Sequence, residues 1–391
     1  MGAPVPPILG TCDSRFDAIR EAFARNFSEH GEYGAAVTVI AEGRTVVDIW
    51  GGHTDTARSN PWQRDTLADV FSVGKAFVTL CALVLVHRGL LDLDAPVAAY
   101  WPEFAACGKE AITVRQLLSH QAGLPAIRRP LPDDAMFDWH LMTQALAEQQ
   151  PWWIPGTRHG YHVNTFGFLV GEIVRRATAA SDRGSRTIGK FLRDEITGPL
   201  GADVHIGIDA SLEARVAEFV WLPELAIPDF GPLLDDAQLM NFNTYFNPRG
   251  FSGHDVVNTS RWRCGEIPSA NAHASARGVA RIYEALCAGG SVDGIDIVSR
   301  DVLAEATTEH VNGIDAVLDR PSRFGLGFQL PLPDRPIGPN PGVFGHFGAG
   351  GSLGFADPVA GIAFGYVMNR MGPRWHNPTN RNLIEALYGC V

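Results

Sequence analysis

Ser72 and Lys75 stand three residues apart in Phe71-Ser72-Val73-Gly74-Lys75, at the head of an apolar run that stops at His87-Arg88-Gly89. The run predicts a buried helix, and glycine is the residue type that commonly follows one. Residues three apart share a helix face, so the Lys75 amine can reach the Ser72 hydroxyl. A serine hydroxyl is a weak nucleophile and needs an adjacent base. Lysine serves once its neutral form is populated, which burial and the positive end of a helix dipole both favour. An ordinary N-cap serine would carry Glu or Gln three positions on. A cation there has the wrong sign for a helix start and costs about 0.3–1 kcal/mol. The chain is also sparing with lysine: of 32 basic residues, only Lys75, Lys109 and Lys190 are lysines. The excess of arginine, alanine and glycine fits a GC-rich genome. Lys109 and Lys190 read as solvated charges.

These two residues need a scaffold, and the composition allows a large one. The chain has 391 residues, 46% of them apolar and 19% charged, which is globular and not disordered. A net charge of −11 gives no electrostatic case for nucleic acid or an anionic membrane. Met1-Gly2-Ala3-Pro4-Val5-Pro6-Pro7 lacks the basic and apolar regions of a signal peptide, and Pro6 breaks the myristoylation pattern. No apolar run approaches the roughly 18 residues of a membrane span. The expected location is the cytoplasm. The six cysteines are scattered without a Cys-x-x-Cys pair, so they read as reduced and mostly buried thiols.

The element pattern follows. Phe16 to Glu29 predicts an amphipathic helix, and Gly34 to Trp50 a hairpin turning at Glu42-Gly43. Ala68 to Phe71 reads as an entering loop or short extended segment. Thr113 caps a short helix reaching His120. Helices are expected over Phe137–Gln149, Thr165–Ala177, Ala274–Gly289 and Thr379–Tyr388. Pro223 to Gly253, rich in Pro, Asp, Asn and Gly, reads as a long functional loop. Leu353 to Asp357 and Gly361 to Asn369 read as adjacent strands behind a Gly-rich entry. The expected fold is α/β (α+β): a central antiparallel sheet flanked by helices, built from residues 1–75 and 274–391, with a mostly helical domain with long loops inserted over 76–273.

Other signals are weaker. Gly350-Gly351-Ser352-Leu353-Gly354 fits Gly-x-Ser-x-Gly, but that motif needs a strand before it and a helix after it. Here a further strand follows, and His376 is the only histidine beyond Ser352. His159-Gly160-Tyr161-His162 lacks the glutamate of a zinc motif, and Gly348 to Gly354 fits no nucleotide-binding pattern, so neither metal nor cofactor is expected.

In chain order come Ser72-Val73-Gly74-Lys75; Val114 to Pro125 (Val-Arg-Gln-Leu-Leu-Ser-His-Gln-Ala-Gly-Leu-Pro); Trp153-Ile154-Pro155-Gly156-Thr157 leading to Tyr161; Phe344-Gly345-His346-Phe347-Gly348; and Gly365 to Arg370. This ordered set resembles the serine β-lactamase and penicillin-binding-protein superfamily, in particular its esterase branch, the family VIII carboxylesterases. The resemblance implies a β-lactamase/transpeptidase-like fold and hydrolysis of small, short-chain esters through an acyl-enzyme on Ser72. It implies that Lys75 and Tyr161 share the proton transfer, with Tyr161 favoured as phenolate-type base and later proton donor. It implies an oxyanion hole from the backbone N–H groups of Ser72 and Ala349. His346, Phe347 and Gly348 match the family's third motif, with histidine in place of lysine, and are expected at the substrate. His346 is expected to hydrogen-bond Tyr161 or the leaving group. Trp153, with Trp152 and the long loop, is expected to wall the pocket. Where β-lactamases carry asparagine two positions after the tyrosine, this chain has Val163, with Asn164 one further. That change and the lost lysine weaken the case for a β-lactam. The alternatives are a β-lactamase, D-aminopeptidase or acyltransferase on the same fold, and a catalytically inactive relative that binds a ligand or partner. The expected partner is a small-molecule ester, with a homo-oligomer left open.

Overall fold

A computed structural model describes residues 5–179, 184–221 and 235–391. Its centre is a six-stranded antiparallel sheet in the order β1-β3-β2-β6-β5-β4. The first three strands are β1 (Ile8–Cys12), β2 (Gly34–Ala41) and β3 (Arg44–Gly52), and the last three are β4 (Phe344–Phe347), β5 (Leu353–Asp357) and β6 (Ile362–Met368). The central antiparallel sheet expected from sequence is therefore present, joined where β6 lies against β2 with Ile362 opposite Ala41. Glu42 and Gly43 both take positive φ at the β2–β3 turn (49° and 74°). That is the twist a two-residue hairpin turn requires, and glycine enters it without strain. The edge strands β1 and β4 have no clean alternation, and the sequence reading did not include them as strands.

Helices α1 (Asp17–His30), α2 (Gly74–His87), α3 (Trp139–Glu148), α4 (Thr165–Ala179), α5 (Asp236–Phe246), α6 (Ala276–Cys287) and α7 (Pro378–Tyr388) frame the sheet and fill the middle of the chain. Helix α2 is buried on nearly every face, the pattern of a core helix. It ends as expected, with Gly89 at φ 68°. Thr113 caps Val114–Leu118 in a reciprocal box with Gln116. None of the helices among the described residues is long and apolar enough to cross a membrane.

Three expectations need correction. Residues 236–246, read as loop, form α5; Asp235 and Gln238 cap its start reciprocally, a signal the surrounding polar residues obscured. The earlier part of that expected loop, 223–234, lies outside the described residues. Lys109 is not solvated: it is inaccessible to solvent, and its ammonium donates to the carbonyls of Ala106 (2.6 Å), Ala147 (2.9 Å) and Gln149 (2.7 Å). Lys190 does face solvent, paired with Asp194. Of the six unpaired cysteines only Cys81 is buried, while Cys107 and Cys264 are exposed.

A small second sheet sets up the site. Ala68–Asp69 and Val204–Ile206 both pair with Ala272–Ala274, and Val70 N–H donates to Ala272 O at 2.8 Å. This pairing delivers the chain before Ser72 to the segment that holds Ser269.

Candidate active site

Ser72 sits in a tight 3-10 turn, Phe71–Val73, that runs straight into α2. Phe71 takes φ 46°, a conformation that strains a bulky residue. Two features hold it there. Its N–H donates to Asp69 Oδ1 at 2.8 Å, and its ring packs edge-on against Phe219. Asp69 Oδ2 accepts from the Trp262 indole, also at 2.8 Å, and burial pushes the carboxyl up to about 8 against those two donors. The turn aims Ser72 into a cavity while Lys75, one helical turn on, stays buried.

Lys75 is fully buried, and its Nζ donates to Ser72 Oγ at 2.9 Å and to Ser269 O at 3.1 Å. It forms no ion pair among the described residues. Burial alone drives its pKa well below the ordinary lysine value. A neutral amine held by one carbonyl keeps its lone pair for the Ser72 proton. The Tyr161 ring lies 4.8 Å from Nζ, closing the other side.

Tyr161 is fully buried between aromatic rings. It stacks on Phe324, with Trp375 and His120 at 5.1 Å. Burial raises its phenol above the ordinary value; the Ser72 hydroxyl opposes that shift without reaching hydrogen-bond geometry. Burial thus favours the neutral form of both the phenol and the amine. The Tyr161 backbone is fixed by Asp315, whose buried carboxylate also accepts from the N–H groups of Val317 and Leu318 and from Ser322 Oγ.

The third-motif residues fall in three places. His346 lies on β4 behind the cluster; its ring centre is 6.0 Å from that of Tyr161 and its Nδ1 is bonded to Phe347 O. Its Nε2 is buried without a partner, so no hydrogen bond to Tyr161 is present. Burial is the main cause that lowers its pKa to about 3. Phe347 lines a neighbouring cavity instead of the Ser72 cavity. Gly348 brings main chain to main chain: a Cβ there would lie 2.3 Å from Val70 O, so only glycine lets the strand end dock against the serine turn. Flanking amides are committed, Val73 N–H to Val70 O and Gly348 N–H to Ser352 O.

The Ser72 cavity holds about 300 Å³. Among the described residues, Phe71, Trp221, Tyr245, Phe246 and Trp375 supply its aromatic walls, and Ala349 and Asn164 also line it. Among the described residues its lining includes no Asp, Glu, Lys or Arg, and burial lowers the pKa of its one histidine, His254. Trp153 is not part of it, packing instead with Ala126, Met240 and Val317. The sequence reading missed His120, Ser269 and Asp315. His120 takes φ 63°, and its ring packs against Tyr161 and Phe324. The discounted motifs stay discounted. Ser352 lies in the β4–β5 turn between two strands. His159 is bonded to Ser322, and both ring nitrogens of His162 are taken by Gly160 O and Leu124 N–H.

An antiparallel sheet built from both chain ends, with a serine and a buried lysine one turn apart on the helix beside it, defines a serine hydrolase of the β-lactamase type. A family model described as Beta-lactamase matches residues 19–388, and the chain belongs to the beta-lactamase family. It is 35% identical over 368 residues to the esterase/beta-lactamase LipL of Mycobacterium tuberculosis (strain ATCC 25618 / H37Rv), covering 93% of this chain and 83% of that one. Among solved structures it superposes on a family VIII carboxylesterase with a TM-score of 0.90 and 38% identity, covering 98% of this chain and 100% of that one. A penicillin-binding protein homolog from Caulobacter crescentus gives 0.89 and 40%, with coverage of 98% and 100%. The resemblance to the esterase branch read from the sequence therefore holds.

Proposed function

We propose that the protein is a carboxylesterase that hydrolyses small, short-chain esters through an acyl-enzyme on Ser72. The observation that carries this reading is the Ser72–Lys75 contact of 2.9 Å in a buried site that opens on an aromatic-walled cavity. Lys75 takes the Ser72 proton as Oγ bonds to the ester carbonyl carbon. The oxyanion is held by the N–H groups of Ser72 and Ala349; a donor of this kind is worth about 3–4 kcal/mol elsewhere. Tyr161 passes the proton to the departing alcohol oxygen as the ester C–O bond breaks. Water then attacks the acyl carbon by the same relay, releasing the acid and restoring Ser72.

The names of the relatives, an esterase/beta-lactamase and a family VIII carboxylesterase, support the ester reading. The described lining offers no Lys or Arg beside Ser72 to hold a carboxylate, which argues against a β-lactam. Six unpaired cysteines fit the reducing cytoplasm. The test is turnover of 4-nitrophenyl butyrate against a chromogenic cephalosporin, together with peptide mapping after a fluorophosphonate. Faster cephalosporin turnover, or a label on Ser352, overturns the reading.

A further inference from the structure

Next to the Ser72 cavity lies a second one of about 420 Å³, and Trp375 lines both. Arg320, Arg323, Arg335, Arg374 and Arg381 face it against a single acid, Asp334. Two of the five are paired: Arg323 with Glu309 at 2.6 Å, and Arg335 with Asp334 at 3.8 Å. Arg320, Arg374 and Arg381 form no ion pair among the described residues. Arg320 lays its guanidinium over the Trp375 indole at 4.9 Å, which fixes its orientation. Burial, then repulsion from Arg335 and Arg374, lowers its pKa. His376 lines the same cavity with Nε2 buried and unpartnered. Burial, then repulsion from Arg381 and Arg335, holds its pKa near about 4, so it stays a neutral ring.

Five arginines against one lining acid, three of them without an ion pair among the described residues, raise the energy of the folded chain. The whole protein carries −11, so this cavity is a local exception and not part of a basic surface. Guanidinium forks and an imidazole N–H are the donor set that carboxylates and phosphates accept from. We propose that this cavity is a binding site for a carboxylate or phosphate group. The group arrives either free in solution or as part of an ester whose carbonyl lies at Ser72, across Trp375.

Calorimetric titration with inorganic phosphate and with succinate at low ionic strength tests the site. Binding is expected to weaken with added salt. The Arg320→Gln/Arg374→Gln double variant should raise Kd by at least about tenfold, the loss of one charge-assisted bond. Arg381→Gln, at an exposed position where folding is not at stake, should weaken binding too. Arg25→Gln, an exposed arginine of α1 outside the cavity, should not. No heat from either anion, or an unchanged Kd in both cavity variants with unaltered circular dichroism, overturns the proposal. Comparing 4-nitrophenyl hemiglutarate with the butyrate separates the sources. A KM advantage for the hemiglutarate that disappears in Arg374→Gln places the anion on the substrate. Phosphate binding without that advantage places it in solution. Because the calorimetry needs no turnover, failure of the esterase reading and failure of this site are read separately.

Discussion

The Asp315 carboxylate receives the Tyr161 backbone N–H on both of its oxygens, at 3.0 and 3.1 Å. One buried acid thus fixes the loop that presents the phenol to Ser72 and Lys75. Asp315→Ala strands three backbone N–H groups and the Ser322 hydroxyl, at a cost of about 3 kcal/mol or more. Asp315→Asn keeps the shape but meets those donors with an NH₂ group. In the Asn variant kcat should fall by about tenfold or more while the Ser72 label still forms, since it is the position of Tyr161 that changes. Unchanged kcat in a folded Asn variant would remove Asp315 from the site.

Ser72→Ala should abolish ester hydrolysis, by at least about 10³-fold, the scale seen when a nucleophile is removed. Ser72 caps no helix end with its side chain, so the melting temperature should hardly move. Residual hydrolysis of the wild-type order would place the chemistry elsewhere.

With Lys75 as the base proposed above, its titration sets the acid limb of the rate profile. Its pKa is depressed in the folded protein, so the amine is neutral where an ordinary lysine is charged. Activity should fall only as pH drops through that lowered value, far below the ordinary lysine range. His346, held near about 3, is neutral throughout. His346→Gln should therefore leave the midpoint of the limb in place. A limb that moves with His346 would contradict the assignment.

The same shift has a stability consequence of defined sign. The unfolded chain carries a proton on Lys75 that the folded chain lacks, so this residue makes folding more favourable as pH rises toward about 10.4. Lys75→Met, which removes the buried amine, should be more stable than wild type at about pH 7, with a smaller difference at about pH 9. Urea midpoints at the two values measure it, and an equal difference at both would mean that Lys75 is charged in the fold.

Lys109→Ala leaves three carbonyls without their shared donor and should lower stability by about 3 kcal/mol, while the folded fraction keeps its kcat. Lys190→Ala, at a solvated pair with Asp194, should change stability by no more than about 0.5 kcal/mol. Denaturant melts of the two variants side by side give the comparison.

What could be read in advance was what is local. Ser72 and Lys75 lie within one helical turn, Glu42-Gly43 is its own turn signal, and Thr113 and Gln116 form a cap four residues long. Tyr161 came from an ordered set of motifs, not from periodicity. Ser269 and Asp315 were out of reach because their partners lie 194 and 154 residues away, and one of the contacts uses only a backbone carbonyl. Lys109 was misread for a related reason. Two segments, at Ala106 and at Ala147 to Gln149, converge their carbonyls on it, and no pattern in either announces that. Trp153 sits close to Tyr161 in the chain, yet its side chain packs with Ala126, Met240 and Val317, away from the lining of the Ser72 cavity.

The contact of Gly348 with Val70 also joins two parts of the chain that are made at different times. Ser72 and Lys75 are made well before the strand end at Gly348 that packs against the turn preceding them. A growing polypeptide on the ribosome would carry the reactive pair for most of its production without that strand end. A chain cut short before residue 348 would keep Ser72 and Lys75 but lack the strand end that packs against the turn before them.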